Sequence, residues 1–157
     1  MEMVQSNEDV ATLVNTLNFK QKVDRALSLI EEAYKVYGSS LVVANSLGKD
    51  SVAVWHLAKR VSPDIRGFIV TTRYKPDATK TFMDEQVEKY PEMKIFSNDS
   101  PQQDRLFESD PDECCSNLKV DPTRWAIEEM DVNCWVTGLR CTEGRTRTDY
   151  QEVEERD

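Results

Sequence analysis

The chain has 157 residues, 39% of them apolar, enough for one core of ordinary domain size. Charged residues make up 31% and the net charge is -9, which excludes general affinity for nucleic acid or anionic membranes but not a small anionic ligand held by a few focused cations. No apolar run approaches the roughly 20 residues of a membrane span, residues 1–9 are too acidic and polar for a secretory leader, and Cys114, Cys115, Cys134 and Cys141 suit a reducing, cytoplasmic setting where clustered thiols serve metal binding or redox chemistry.

Residues 1–17 show no clear apolar face and read as a loose arm or a short docking helix. From Phe19 a helical stripe runs through Val23, Ala26, Leu27, Ile30, Tyr34 and Tyr37, and Gly38 stops it. Leu41, Val42, Val43 and Ala44 form a short apolar run that reads as a buried strand. A glycine-containing loop follows, then a helix to about Arg60. Residues 65–70 predict a second strand, residues 77–90 a crossover helix ended by Tyr90 and Pro91, and residues 93–96 a short third strand.

Residues 98–112 read as a polar loop, longer than most connections inside a compact domain and so functional or mobile. A helical stretch over residues 113–130 is expected to be interrupted near Pro122, and residues 134–137 form the last strand. Alternating strands and helices predict an α/β fold, a mostly parallel sheet flanked by helices. The expected organisation is an N-terminal arm and helix over 1–39 and a nucleotide-binding α/β domain over 40–157. The charged ending without a packed terminal element is expected of a fragment truncated at its C-terminus.

The first loop carries the chemistry. Ser46-Leu47-Gly48-Lys49-Asp50-Ser51 stands between a strand and a helix. A glycine there lets backbone approach a ligand, the helix N-terminus adds N–H donors and positive potential, and Ser46, Ser51 and Lys49 add hydroxyls and a cation. Together these suit a phosphate or sulfate. A Walker A loop would need a glycine where Val43 stands and Ser or Thr where Asp50 stands. The competing reading is a plain helix cap made by Ser46 or Asp50.

This loop, followed by Val52-Ala53-Val54-Trp55-His56-Leu57-Ala58, resembles the pyrophosphate-binding loop of the adenine-nucleotide α-hydrolase (PP-loop) superfamily, which implies a Rossmann-like fold. That group includes N-type ATP pyrophosphatases, the small subunit of ATP sulfurylase and the adenylyl-sulfate reductases. His56, the only histidine, reads as a packing residue rather than a catalyst.

Cys114 and Cys115 sit together in an acidic, polar stretch, a poor core pattern and a strained geometry for a mutual disulfide. Thiolates ligate iron–sulfur clusters, but ferredoxin spacing is absent. Cys-Cys-x-x-x-Lys-Val-x-Pro, from Cys114 with Lys119, Val120 and Pro122, resembles the first half of the [4Fe–4S] motif of assimilatory adenylyl-sulfate reductases. The resemblance makes Cys114 and Cys115 two of four cluster ligands in a full-length protein; the family's downstream Cys-x-x-Cys and its C-terminal catalytic cysteine are not found here. Cys134 reads as structural and Cys141 as a chance thiol, so no catalytic residue is assigned.

The last strand leaves through Gly138 into a segment holding Arg140, Arg145 and Arg147, in a chain otherwise acidic. Guanidinium forks match phosphate and sulfate oxygens. The competing reading is a solvated loop pairing with Glu143 and Glu152. Gly-x-Arg-x-x-Glu-x-x-x-Arg, from Gly138 to Arg147, is similar to the reductases' arginine segment. Where that family usually has Asp-Thr-Gly after the second strand, Thr71, Thr72 and Arg73 stand, followed by Tyr74; Thr72 is kept as a nucleotide-binding candidate.

The resemblance therefore implies an oxidoreductase of the adenylyl-sulfate or phosphoadenylyl-sulfate (PAPS) reductase family. Its nucleotide would meet Ser46, Leu47, Gly48, Lys49, Asp50, Ser51, Thr72, Gly138, Arg140, Arg145 and Arg147. In that family a cysteine attacks the sulfate sulfur, AMP leaves, and a thioredoxin-type thiol releases sulfite. Two alternatives stay open: an ATP-using PP-loop enzyme (pyrophosphatase, sulfurylase-like or sulfur-transfer), and a non-catalytic nucleotide-binding module. Oligomeric state is open too, a homo-oligomer included.

Overall fold

The computed structural model describes residues 7–100, 106–143, 147 and 150–155. Two helices lead, α1 (Asn7–Thr16) and α2 (Phe19–Tyr37). Asn18 and Gln21 start α2 with a reciprocal capping box, each side chain accepting from the other's backbone N–H at 2.9 Å, and Gly38 caps its end at φ 52°. The stripe predicted on α2 packs only in its middle. Ile30 is buried, whereas Phe19 and Tyr37 are exposed. A 19-residue helix is roughly 28 Å long and outreaches the four-residue strand beside it, about 13 Å, so the stripe's ends find no partner there.

The sheet and its connections follow as β1 (Leu41–Ala44), α3 (Lys49–Val61), β2 (Arg66–Thr71), α4 (Asp77–Lys89), β3 (Met93–Ser97), α5 (Leu106–Ser109), α6 (Pro111–Cys115), a π turn (Ser116–Val120), α7 (Asp121–Glu129) and β4 (Cys134–Val136). All strand pairs are parallel, in the order β3-β2-β1-β4. The predicted α/β class holds.

Both faces of β1 are covered, which is why its sequence is an unbroken apolar run. Leu41 and Val43 join Ile30, Trp55, Ala58, Ile65, Ile69 and Met93 in one core, with Met83 and Val87 of α4 packed against it. Val42 points the other way into a second core with Phe68, Phe96, Ala126 and Met130, under α7. Ile30 thus ties the segment before residue 40 to the same core as the sheet.

One expectation is corrected and another takes a definite form. The polar stretch over residues 98–112 is partly helical: Asp110 accepts from the Glu113 N–H at 3.0 Å to start α6, and Phe107 of α5 meets Tyr74 edge-on at 5.9 Å. Residues 101–105 lie outside the described set. The helical stretch over 113–130 is interrupted, as expected, just before Pro122: a π turn with αR backbone at its flanks separates α6 from α7. Proline cannot donate to the Asn117 carbonyl five residues back, and Asn98 Nδ2 donates there instead, at 3.1 Å.

Lys59 clasps the amino ends of β2 and β3. Its ammonium donates to the Pro63 carbonyl, to the Ile65 carbonyl at 3.2 Å and to Glu92, and lies 4.9 Å from the Trp55 ring centroid. Trp55 in turn meets Tyr90 edge-on at 5.4 Å. Lys59→Ala is expected to cost about 2–3 kcal/mol in chemical denaturation, because a largely buried carboxylate and two carbonyls lose their donor. A cost under about 0.5 kcal/mol would show the clasp to be incidental.

Candidate functional site

From β1 the chain goes one way, through α3 to β2 and through α4 to β3; from β3 it crosses back to place β4 on the opposite side of β1. The topological switch therefore falls between β1 and β4. Open parallel sheets bind ligands outside the strands' carboxyl ends at such a point. The loop after β1 and the arginine segment after β4 are the two segments that flank it.

The loop after β1 is held in a tight shape. The Leu47 N–H donates to Asn45 Oδ1 at 2.9 Å, and Leu47 adopts φ 65°. That left-handed backbone is unusual for a branched side chain, and the side-chain turn made by Asn45 is what supports it. Asn45 is buried, and its Nδ2 has no hydrogen-bond partner among the described residues. Sequence reasoning missed Asn45; an asparagine two residues before a left-handed position was the available clue.

Gly48 is the N-cap of α3, and among the described residues no side chain caps that helix. The reading of Ser46 or Asp50 as a plain cap is therefore wrong. Among the described residues the first N–H groups of α3 have neither side-chain nor intrahelical acceptors, as an anion site requires. The two serines differ. Ser51 is buried, donates to the Gly48 carbonyl at 3.0 Å and lies 3.0 Å from the Ser46 hydroxyl, so it shapes the loop, while Ser46 is exposed.

Lys49 and Gly48 are exposed, and Asp50 sits in the first turn of α3 between two cations. Its Oδ2 is 3.1 Å from Lys49 Nζ and 3.2 Å from Arg140 Nε. Arg140 also pairs with Glu143, and Glu143 lies 3.5 Å from Arg147 Nη1. These carboxylates raise the Arg140 pKa further, first through the Glu143 hydrogen bond. The arginine segment thus reaches the loop after β1 through one ion pair. Glu152 forms a two-pronged pair with Arg25 of α2 at 2.7 and 2.6 Å.

Gly138 makes the approach possible. A Cβ there would lie 2.8 Å from the Asp50 carbonyl carbon and 2.8 Å from the Ser51 nitrogen. Only a residue without a side chain lets the end of β4 lie against the first turn of α3. Thr72 is half-buried just past β2, and its carbonyl accepts from the Lys75 N–H at 3.2 Å. Arg145 lies outside the described residues.

The remaining candidates are apart from this cluster or closed to chemistry. His56 is on the exposed face of α3, not in its packing face as expected. Burial pushes the Cys134 thiol pKa up, away from thiolate chemistry. Cys114 and Cys115 are free in the last turn of α6, half-buried and exposed respectively. Among the described residues no group of three or more His, Cys, Asp or Glu side chains is placed to hold a metal ion. Two thiols alone do not fit a four-thiolate cluster. No described helix is long and apolar enough to cross a membrane.

Residues 40–157 match the family model described as the phosphoadenosine phosphosulfate reductase domain. The adenosine 5'-phosphosulfate reductase of Halalkalibacterium halodurans is 31% identical, over 94% of this chain and 68% of its own length. The phosphoadenosine 5'-phosphosulfate reductase of a Synechococcus species is 31% identical, over 82% of this chain and 60% of its own. The chain thus spans about two thirds or less of the length of these relatives. Among solved structures, a phosphoadenylyl-sulfate (PAPS) reductase from Candida auris, crystallised as a phosphate complex, superposes with a TM-score of 0.60 at 18% identity, over 80% of this chain and 70% of that one. The NH3-dependent NAD synthetase of Campylobacter jejuni, in complex with the nitrate ion, gives 0.50 at 18%, over 74% and 52%. Both show the parallel PP-loop fold.

Proposed function

Because the chain belongs to the phosphoadenosine phosphosulfate reductase domain family, we propose that it binds adenylyl sulfate, or its 3'-phosphorylated form, in the crevice between β1 and β4, as the nucleotide-binding part of a thiol-dependent reductase. The ion pair between Arg140 and Asp50 carries this reading. It brings a guanidinium from the last strand to the uncapped N-terminus of α3, so that donors from two segments can converge on one tetrahedral anion. Lys49, Arg140 and Arg147 supply the charge, Ser46 and the first N–H groups of α3 the neutral donors, and Ser51, Leu47 and Gly138 the shape. Thr72 and Arg145 remain candidates for the same nucleotide.

In the proposed reaction a thiolate attacks the sulfate sulfur, the bond from sulfur to the bridging oxygen breaks, and AMP (or its 3'-phosphate) leaves with that oxygen. A second thiol, from a thioredoxin-type donor, then displaces sulfite and leaves a disulfide. None of the four cysteines here is assigned as the nucleophile. A [4Fe–4S] cluster would take Cys114 and Cys115 only together with ligands from a longer chain. The purified chain is expected to show little iron–sulfur absorbance, and a stoichiometric monomeric cluster would contradict this. A cytoplasmic setting goes with this chemistry.

Calorimetry with adenylyl sulfate tests the binding role. Arg140→Ala and Arg147→Ala are each expected to weaken binding about ten- to a hundredfold, with an unchanged melting temperature. Unchanged affinity in both would return the segment to the solvated surface. A second reading, binding without turnover, has one observation in its favour. Arg73, where the family usually has glycine, donates to the Asp99 and Ser100 carbonyls at 2.6 and 2.8 Å and so bridges the loops after β2 and β3. Thiol-dependent release of sulfite by a full-length protein decides between the two.

A further inference from the structure

The cations of this site are already answered by acids. Asp50 lies between Lys49 and Arg140, and Glu143 lies between Arg140 and Arg147. Among the described residues, the cations Lys49, Arg140 and Arg147 are paired with two carboxylates, Asp50 and Glu143. Asp50 stands in the first turn of α3, among the N–H donors an incoming anion would use, and the side chains of Asp50 and Glu143 are 34% and 37% exposed.

We propose that Asp50 and Glu143 are internal counter-anions that determine the specificity of this site, keeping small inorganic dianions out of it. This rests on the reading of the crevice as the anion site. An entering anion must displace these carboxylates from the guanidinium groups or sit beside them, and either imposes a fixed electrostatic cost. A ligand with further contacts along the strand ends offsets that cost. A free sulfate or phosphate, with the tetrahedral group alone, does not. The carboxylates also hold Arg140 beside the first turn of α3, so the guanidinium is in place for a ligand.

The experiment uses sodium sulfate as the probe, titrated by chemical-shift perturbation into the wild-type chain and into Glu143→Gln and Asp50→Asn, at constant low ionic strength. Glu143→Gln keeps the side-chain shape and removes one charge. It is expected to bind sulfate about fivefold more tightly than wild type, and that gain is expected to shrink as salt is raised. Unchanged or weaker sulfate binding in Glu143→Gln overturns the proposal and makes the acid a positioning group for the arginines. If thermal melting shows that Glu143→Gln has lost its fold, the same two outcomes are read from Asp50→Asn. Adenylyl sulfate is titrated in parallel. Failure of the wild-type chain to bind it counts against the proposed nucleotide, while a gain in sulfate affinity still supports the counter-anion role.

Discussion

Gly48→Val is expected to abolish adenine-nucleotide binding, by more than about a hundredfold, in a protein that still folds. Gly48 has φ -77° and ψ 162°, extended backbone that valine adopts without strain. A Cβ there would find Ser46 Oγ at 3.6 Å, ordinary contact, and nothing closer. The fold therefore does not need this glycine. The anion does, because the branched side chain would project beside the exposed first turn of α3, where the ligand's oxygens must reach the N–H groups. Retained affinity in a folded Gly48→Val protein would remove the loop at residues 46–51 from the site.

Gly138→Val should do the opposite and damage the fold. Its Cβ would lie 2.8 Å from two backbone atoms of α3, and backbone in a packed helix turn cannot step aside as a flexible side chain would. Overpacking of this kind costs about 1–3 kcal/mol, which for a domain of this size lowers the melting temperature by roughly 3–10 °C. Nucleotide binding should fall as well, since moving β4 from α3 breaks the pair between Arg140 and Asp50. An unchanged melting temperature would mean that β4 and α3 are not in the close contact described. The two glycines were read alike from sequence, both as ligand-side residues. Only the geometry separates a glycine that serves the ligand from one that serves the packing.

The sheet itself was readable because its physical demand is written locally. Leu41, Val42 and Val43 are buried on both faces and so cannot alternate with polar residues, and Gly38 and Gly48 punctuate the elements on either side. An interruption near Pro122 was readable, but its form was not: it is a π turn whose Asn117 carbonyl is satisfied by Asn98, 19 residues upstream. The short helices before Cys114 were missed for a related reason: Phe107 has its aromatic partner in Tyr74, far away in sequence. In the site, the loop and the arginines were each visible as motifs. The pairing of Asp50 with Arg140 spans 90 residues and follows from strand order, which places β4 beside β1. Likewise, Glu152 seemed available to the arginine segment until the structure placed Arg25 against it.

The crevice between β1 and β4 is proposed to take the sulfated adenine nucleotide. Calorimetric titration of the wild-type chain with adenylyl sulfate and, separately, with ATP tests it most directly. Saturable one-to-one binding of adenylyl sulfate, at least about tenfold tighter than ATP and lost in Gly48→Val, is the expected result. Tighter binding of ATP than of adenylyl sulfate, or affinity for adenylyl sulfate that survives Gly48→Val, would contradict it.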